Sequence, residues 1–196
     1  MQNSGRPTAK ADILSRIASL FVVRCHAVRW ASTAGDVALL LELEDGGLLD
    51  SIMSRHGVFP EAAMAEVAAQ ALSGLAYLHA HRVVHLDVKP ANLLASTDGN
   101  VKVADFGIAK RTAGHYDPCI ADVWGLGVTV LELLVGWYLL LPAGQKPSWV
   151  VLMCAICFDE LPALPERASV VELLAHPFVA KRDVAVSRRA LWRLVA

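Results

Sequence analysis

Between Arg82 and Gly107 the chain sets charged and amide side chains among short apolar runs, RVVHLDVKPANLLAS and then NVKVADFG. A charge taken out of water without a partner costs several kcal/mol, roughly 2–7 even for a neutral polar group. A fold for this chain must therefore bring these groups to each other or to a surface where they act. The first run reads His85-Leu86-Asp87-Val88-Lys89-Pro90-Ala91-Asn92, and 13 residues after Asn92 comes Asp105, followed by Phe106 and Gly107. Asp87 and Lys89 are two apart in an extended loop and so point the same way.

The flanking patterns place this irregular centre in a mostly helical domain. Residues 11–23, ADILSRIASLFVV, have the spacing of a short helix that runs into extended chain. Two strand-like runs follow, Val22–Trp30 and Val37–Leu43, with a turn expected at Ser32 to Gly35. Gly46-Gly47 turns the chain into a helical pattern through Arg55. Pro60-Glu61 opens a long Ala-rich helix, because proline is tolerated in the first turn and a carboxylate there suits the helix dipole. Met64, Val67, Ala68, Ala71, Leu72, Leu75 and Leu78 give it one buried stripe. Helical spacing returns from about Ile120 to Val135, at Ser148–Phe158 and Ser169–Ala175, and in the closing RRALWRLVA.

Composition removes several function classes. The 196 residues carry 18 Lys+Arg against 19 Asp+Glu, a net charge of -1, with the two signs mixed. That balance gives no basic face for nucleic acid and no patch for a membrane surface. Mean hydropathy is +0.45. Yet the charge-free apolar stretches Leu133–Gln145 and Pro147–Phe158 are 13 and 12 residues, short of the roughly 18 to 20 of a spanning helix. The first residues, MQNSGRPTAKAD, lack the apolar core of a secretory signal. A reducing setting, cytoplasmic or nuclear, is expected, with Cys25, Cys119, Cys154 and Cys157 as free thiols. Cys154 and Cys157 sit in an apolar run with no second ligand pair, so they read as buried small side chains.

Phosphoryl transfer has a use for each polar group of the centre. It needs a carboxylate to accept the proton of the attacking hydroxyl, a cation near the developing negative charge, and hard oxygen ligands for magnesium. Asp87, Lys89, and the pair Asn92 with Asp105 match these needs in turn. HLDVKPANLL with DFG resembles the catalytic loop and magnesium-binding motif of eukaryotic protein kinases, and DVWGLG from Asp122 resembles the start of that family's buried central helix. SWVVLMCAICFDELPALP and RASVVELLAHPFVAKRD are similar to plant MAP kinase kinases of the short group D type.

The resemblance implies an α+β, mainly α fold: a kinase large lobe with a few short antiparallel strands and most of the small lobe missing. It divides the chain into a polar segment 1–10, a remnant of the small lobe and hinge 11–44, the large lobe 45–180 and a tail 181–196. It implies ATP and Mg2+ as cofactors, Asp87 and Lys89 as catalytic, Asn92 and Asp105 on the metal, and a MAP kinase as protein substrate. It makes Leu41 the gatekeeper and the backbones of Glu42 and Glu44 the adenine-binding hinge, with Lys89 and Asn92 also facing the nucleotide. His85 is expected as a packed core residue, and Asp122 as the acid that bonds the catalytic-loop backbone. His26, His56, His79 and His81 have no acid or cysteine at ligand spacing and are expected at the surface or at helix ends.

Departures from the family pattern matter as much. No glycine-rich loop or phosphate-gripping strand lysine precedes Ala11, and Lys10 falls where the family's helix glutamate would be. Asp122 comes only 17 positions after Asp105, with Thr112 the single Ser or Thr between them and no Ala-Pro-Glu. Leu86 replaces the usual arginine after His85, Arg167 loses its usual glutamate partner, Phe158–Arg167 is abbreviated, and Arg6 and Lys10 are the only basic candidates for docking a MAP kinase. Three readings follow: a protein kinase with impaired transfer, a non-catalytic pseudokinase-like module that binds a MAP kinase or a relative, and a truncated product that folds poorly.

Overall fold

The fold is built on the Ala-rich helix α3, Glu61–Ala80, which begins just after Pro60. In the computed structural model, residues 6–30, 37–112, 119–137 and 169–195 are described. In chain order, α1 is Arg6–Leu14, β1 Cys25–Trp30, β2 Val37–Leu41, β3 Gly47–Leu48 and α2 Leu49–His56. After α3 come β4 Val83–Val84, a 3-10 turn Pro90–Asn92, β5 Leu93–Ala95, β6 Val101–Val103, β7 Lys110–Arg111 and α4 Cys119–Val135. The last elements are α5 Val170–Ala175, α6 Pro177–Ala180 and α7 Val184–Val195. The architecture is α+β and mainly α with short antiparallel strands, as the resemblance implies.

The single stripe expected on α3 is wider in the structure. Every residue from Ala63 to Leu72 is buried, because α4, α5, α6, α7, β4 and β6 all pack around the helix. Alanine makes this possible, since its small side chain lets neighbours approach from several sides. Gly74 serves the same end. A Cβ there would lie 2.6 Å from the Phe21 carbonyl oxygen, so only glycine lets α3 run against residues 21–23. That segment is tied to β6 by bonds of 2.9 Å from the Val23 amide to the Val103 carbonyl and from the Val103 amide to the Phe21 carbonyl.

Strands β1 and β2 form the expected antiparallel pair, with Cys25 opposite Leu41. A three-stranded sheet has the order β3-β5-β6, and β4 pairs with β7. Helix α1 begins five residues before the predicted start, with Pro7 in its first turn, where a missing amide proton costs nothing. Helix α7 also begins early. Asp183 caps it by accepting bonds from the amides of Ala185 and Val186 at 3.0 and 3.1 Å. The turn expected at Ser32 to Gly35, the helix expected at Ser148–Phe158, and the readings of Phe158–Arg167, Arg167, Cys154 and Cys157 lie outside the described residues. Among the described residues no helix is long and apolar enough to cross a membrane.

One buried polar network closes the last helices onto α3. Glu66, 1% exposed, accepts bonds from Arg182 at 2.8 Å, Arg188 at 3.3 Å and Gln70 at 2.7 Å. Gln70 also donates to the Gly99 carbonyl at 2.9 Å and accepts from the Val101 amide at 2.7 Å, which fixes the turn between β5 and β6. Both arginines keep some contact with water, so losing the acid costs less than stranding a fully buried charge. Glu66→Ala is expected to lower stability by about 2–3 kcal/mol. A shift of the urea midpoint checks this, together with faster proteolysis within α7.

Candidate active site

The irregular centre is shaped by a carboxylate from α4. Asp122, fully buried, accepts the His85 amide on Oδ2 at 2.9 Å and the Leu86 amide on Oδ1 at 2.7 Å. Between those bonds the chain adopts a left-handed turn at Leu86, φ 67°. That conformation costs a residue with a Cβ roughly 1–2 kcal/mol. Two bonds to a charged group, each worth about 1.5–3 kcal/mol, outweigh it. The scaffold role expected for Asp122 is therefore visible in its bonds. His79, at the end of α3 as expected, also places Nε2 2.8 Å from Asp122 Oδ2. That pairing had no sequence signal, because 43 residues separate the two.

Helix α4 must come close to deliver this acid. Gly125 makes the approach possible: a Cβ there would lie 2.8 Å from the Val88 carbonyl oxygen and 3.2 Å from the Val88 Cβ.

His85 is fully buried and packs edge-on against Phe106, with ring centroids 5.0 Å apart, as expected of a core residue. Its Nε2 is 2.8 Å from the Ala104 carbonyl oxygen, which can only accept, so Nε2 carries the proton. Nδ1 is then free to accept from the Asp87 amide at 3.3 Å. Burial pushes the imidazole pKa down, against the opposite pull of the Ala104 carbonyl and the Asp122, Asp87 and Asp105 carboxylates.

The polar groups singled out in the sequence meet on the open side of this frame. Lys89 is in extended conformation and its Nζ lies 3.0 and 2.9 Å from the two carboxylate oxygens of Asp87. Asn92 donates from Nδ2 to the backbone carbonyl of Asp87 and to its Oδ2, both at 2.8 Å. The Asp87 carboxylate is thus held by a cation and an amide. The Asn92 carbonyl in turn accepts from the Ala104 amide at 2.9 Å, which ties this loop to the residue before Asp105. Asp105 has a left-handed backbone, φ 58°, and its Oδ1 accepts from the Gly107 amide at 3.1 Å.

Asp105 also meets a residue from outside the motif. Lys10 on α1 places Nζ 2.9 Å from Asp105 Oδ1, and this bond holds the carboxyl below the usual carboxylate range. The resemblance implies Lys10 at the family's glutamate position, and the sequence gives no sign of the acid it reaches.

Leu41, expected as gatekeeper of an adenine-binding hinge, ends β2 exposed, and the Glu42 amide donates to the Arg24 carbonyl at 2.9 Å. The side chains of Glu42 and Glu44 grip Lys102 at 2.6 and 2.8 Å. Burial alone would lower the Lys102 pKa, but the bonds to the two carboxylates outweigh it and raise it.

Among the described residues no cluster of three or more His, Cys, Asp or Glu could hold a metal alone. Magnesium bound through substrate phosphates needs only one or two protein oxygens. The Asn92 amide oxygen and the Asp105 carboxylate, on neighbouring and mutually tied segments, are of that kind.

Residues 6–119 match the protein kinase domain family. The chain belongs to that family. Protein kinases use ATP and Mg2+. The chain is 38% identical to mitogen-activated protein kinase kinase 9 of Arabidopsis thaliana, over 86% of its own length and 68% of the relative's. With mitogen-activated protein kinase kinases 7 and 10 of the same plant it shares 39% and 34% identity, covering 81% and 89% of this chain and 59% and 72% of theirs. The first alignment runs over 215 positions, more than the 196 residues of this kinase-family chain, so the relative carries residues with no counterpart here.

Two outcomes test this frame. Asp122→Ala is expected to destabilise the protein by about 3–5 kcal/mol, because two amides lose their acceptor and the left-handed turn loses its clamp; equilibrium urea unfolding measures it. For His85 the folded pKa lies below the unfolded value of about 6.5. Above that pH neither state is protonated, and below it only the unfolded state takes up the proton. Stability is therefore expected to fall on acidification below about pH 6.5, with a slope of up to about 1.4 kcal/mol per pH unit from this group. His85→Phe should be less stable at pH 7.5 yet show a shallower loss between pH 7 and 5.5, read from urea midpoints.

Proposed function

We propose that this chain is a MAP-kinase-kinase-like protein kinase, acting on Ser, Thr or Tyr hydroxyls of a MAP kinase, with slow transfer. The observation that carries the reading is the Asp87 carboxylate held by Lys89 and Asn92 at 2.8–3.0 Å. In the proposed reaction Asp87 orients the attacking hydroxyl and accepts its proton as the oxygen bonds to the γ-phosphorus and the bond to the departing ADP breaks. Lys89, on the same face, stabilises the charge on the transferring phosphoryl group. Asn92 and Asp105 would hold magnesium, which when bound neutralises phosphate charge. Leu41 lines the adenine site, and the backbones of Glu42 and Glu44 face the base.

Slow transfer follows from what positions the phosphates. In this family a glycine-rich loop and a strand lysine paired to a helix glutamate do so, and Lys10 in the glutamate position instead reaches Asp105. Positioning supplies much of the rate in phosphoryl transfer.

A second reading, a non-catalytic module that binds a MAP kinase, is favoured by that same Lys10–Asp105 pair. Incubating the purified chain with labelled ATP and a catalytically dead MAP kinase separates the two. Weak incorporation is expected, reduced about 10²–10⁴-fold by Asp87→Asn. Incorporation unchanged by that substitution would refute the assignment. No incorporation, with the MAP kinase still retained on the immobilised chain, would establish the second reading.

A further inference from the structure

We propose that Lys10 is a displaceable internal countercation of the nucleotide site, which holds one of the two Asp105 carboxylate oxygens and competes there with a divalent cation. The inference rests on the kinase reading of Asp105. It concerns a residue that enters that reading only as a departure from the family pattern.

The placement of Lys10 is built into the fold. Helix α1 buries Ala11, Ile13 and Leu14, each at most 3% exposed, against the core, so the helix cannot roll freely. A second charge on the same helix holds it to the far side of the same segment: Asp12 lies 3.6 Å from Arg111 on β7. It also pairs with Arg16 at 2.8 Å. Helix α1 thus touches the chain at Asp105 through a cation and beyond Gly107 through an anion. Swapping the signs at those two contacts would set like charges together.

The chemistry at Asp105 then decides the consequence. Its Oδ1 already takes two donors, the Lys10 ammonium at 2.9 Å and the Gly107 amide at 3.1 Å. A divalent cation arriving at that oxygen would meet a unit positive charge at contact distance, which raises its free energy even in a well-screened setting. The pair is nevertheless weakly held. Side-chain exposure is 30% for Lys10 and 54% for Asp105, the regime in which ion pairs contribute little and exchange with water. Lys10 is therefore a competitor for the site and not a plug. Its flexible stem allows the ammonium to swing away while α1 stays in place.

The test is Mn2+ binding to the full chain, followed by the electron paramagnetic resonance signal of free Mn2+, with no phosphotransfer involved. Lys10→Met is expected to bind Mn2+ about two- to fivefold more tightly than the natural chain, the range an exposed ion pair can supply. Lys10→Arg, which keeps the charge, should bind like the natural chain, and adding Asp105→Asn should abolish the tightened binding. Circular dichroism of each variant establishes that the fold is intact, and Lys10→Gln provides a second neutral side chain. Equal or weaker binding by both neutral variants, with Asp105-dependent binding retained, would overturn the role of Lys10 and leave the metal reading standing. Tightening by Lys10→Arg as well would overturn it too, since charge would then not be the cause. Absence of Asp105-dependent binding in every variant would overturn the metal reading and this inference with it.

Discussion

The carboxylate of Asp122 is the constraint on which the rest of the site depends. It crosses from α4 to the end of α3, takes two consecutive backbone amides of the 85–92 loop and meets His79. Without such an acceptor a leucine would not sit at φ 67°, and the loop would have no reason to turn there. Because Leu86 turns, Asp87 emerges toward solvent while His85 goes inward against Phe106. Sorting a core residue and a reactive one onto opposite sides within two positions needs a reversal of this kind. The close contact that delivers the carboxylate depends in turn on Gly125 having no side chain.

Around that frame, charge is balanced locally. Asp87 faces Lys89, Asp105 faces Lys10, and Glu42 and Glu44 share Lys102. These pairs differ in how they can respond to a ligand. The Lys102 ammonium is largely shielded and held by two acids, so it fixes the 42–44 segment. The other two pairs are half open to water and can exchange partners when phosphate and metal arrive. A firmly held 42–44 segment beside two exchangeable ion pairs is what the proposed nucleotide site would need, one end fixed and the other able to adjust to charge.

Much of this was legible in the sequence where the physics is local. Pro60-Glu61 announced α3, the strand-like runs at 22–30 and 37–43 announced β1 and β2, and the two-residue spacing of Asp87 and Lys89 put them on one side, where they pair. The long-range pairs were not legible. Lys10 and Asp105 are 95 positions apart, His79 and Asp122 43, and nothing in the local pattern joins them. The burial of α3 on all sides was hidden because alanine fits a stripe, a face or a fully enclosed helix equally well. Helix α7 began earlier than its apolar spacing suggested, although Asp183 ahead of Val184 was a capping signal. The polar cluster of the loop was legible through chemistry; the partners supplied by α1 and α3 required the fold.

The arginines on Glu66 carry one further consequence. Arg182 reaches back 116 positions to a buried acid in the middle of the most central helix. During synthesis that helix exists for a long time before its ionic partners emerge. A chain in this condition holds a carboxylate met only by Gln70 of the same helix and an unfilled apolar groove, and closing so wide a loop is slow. The α3 core is thus completed late, and the interval before α7 arrives is when this protein most needs protection from aggregation.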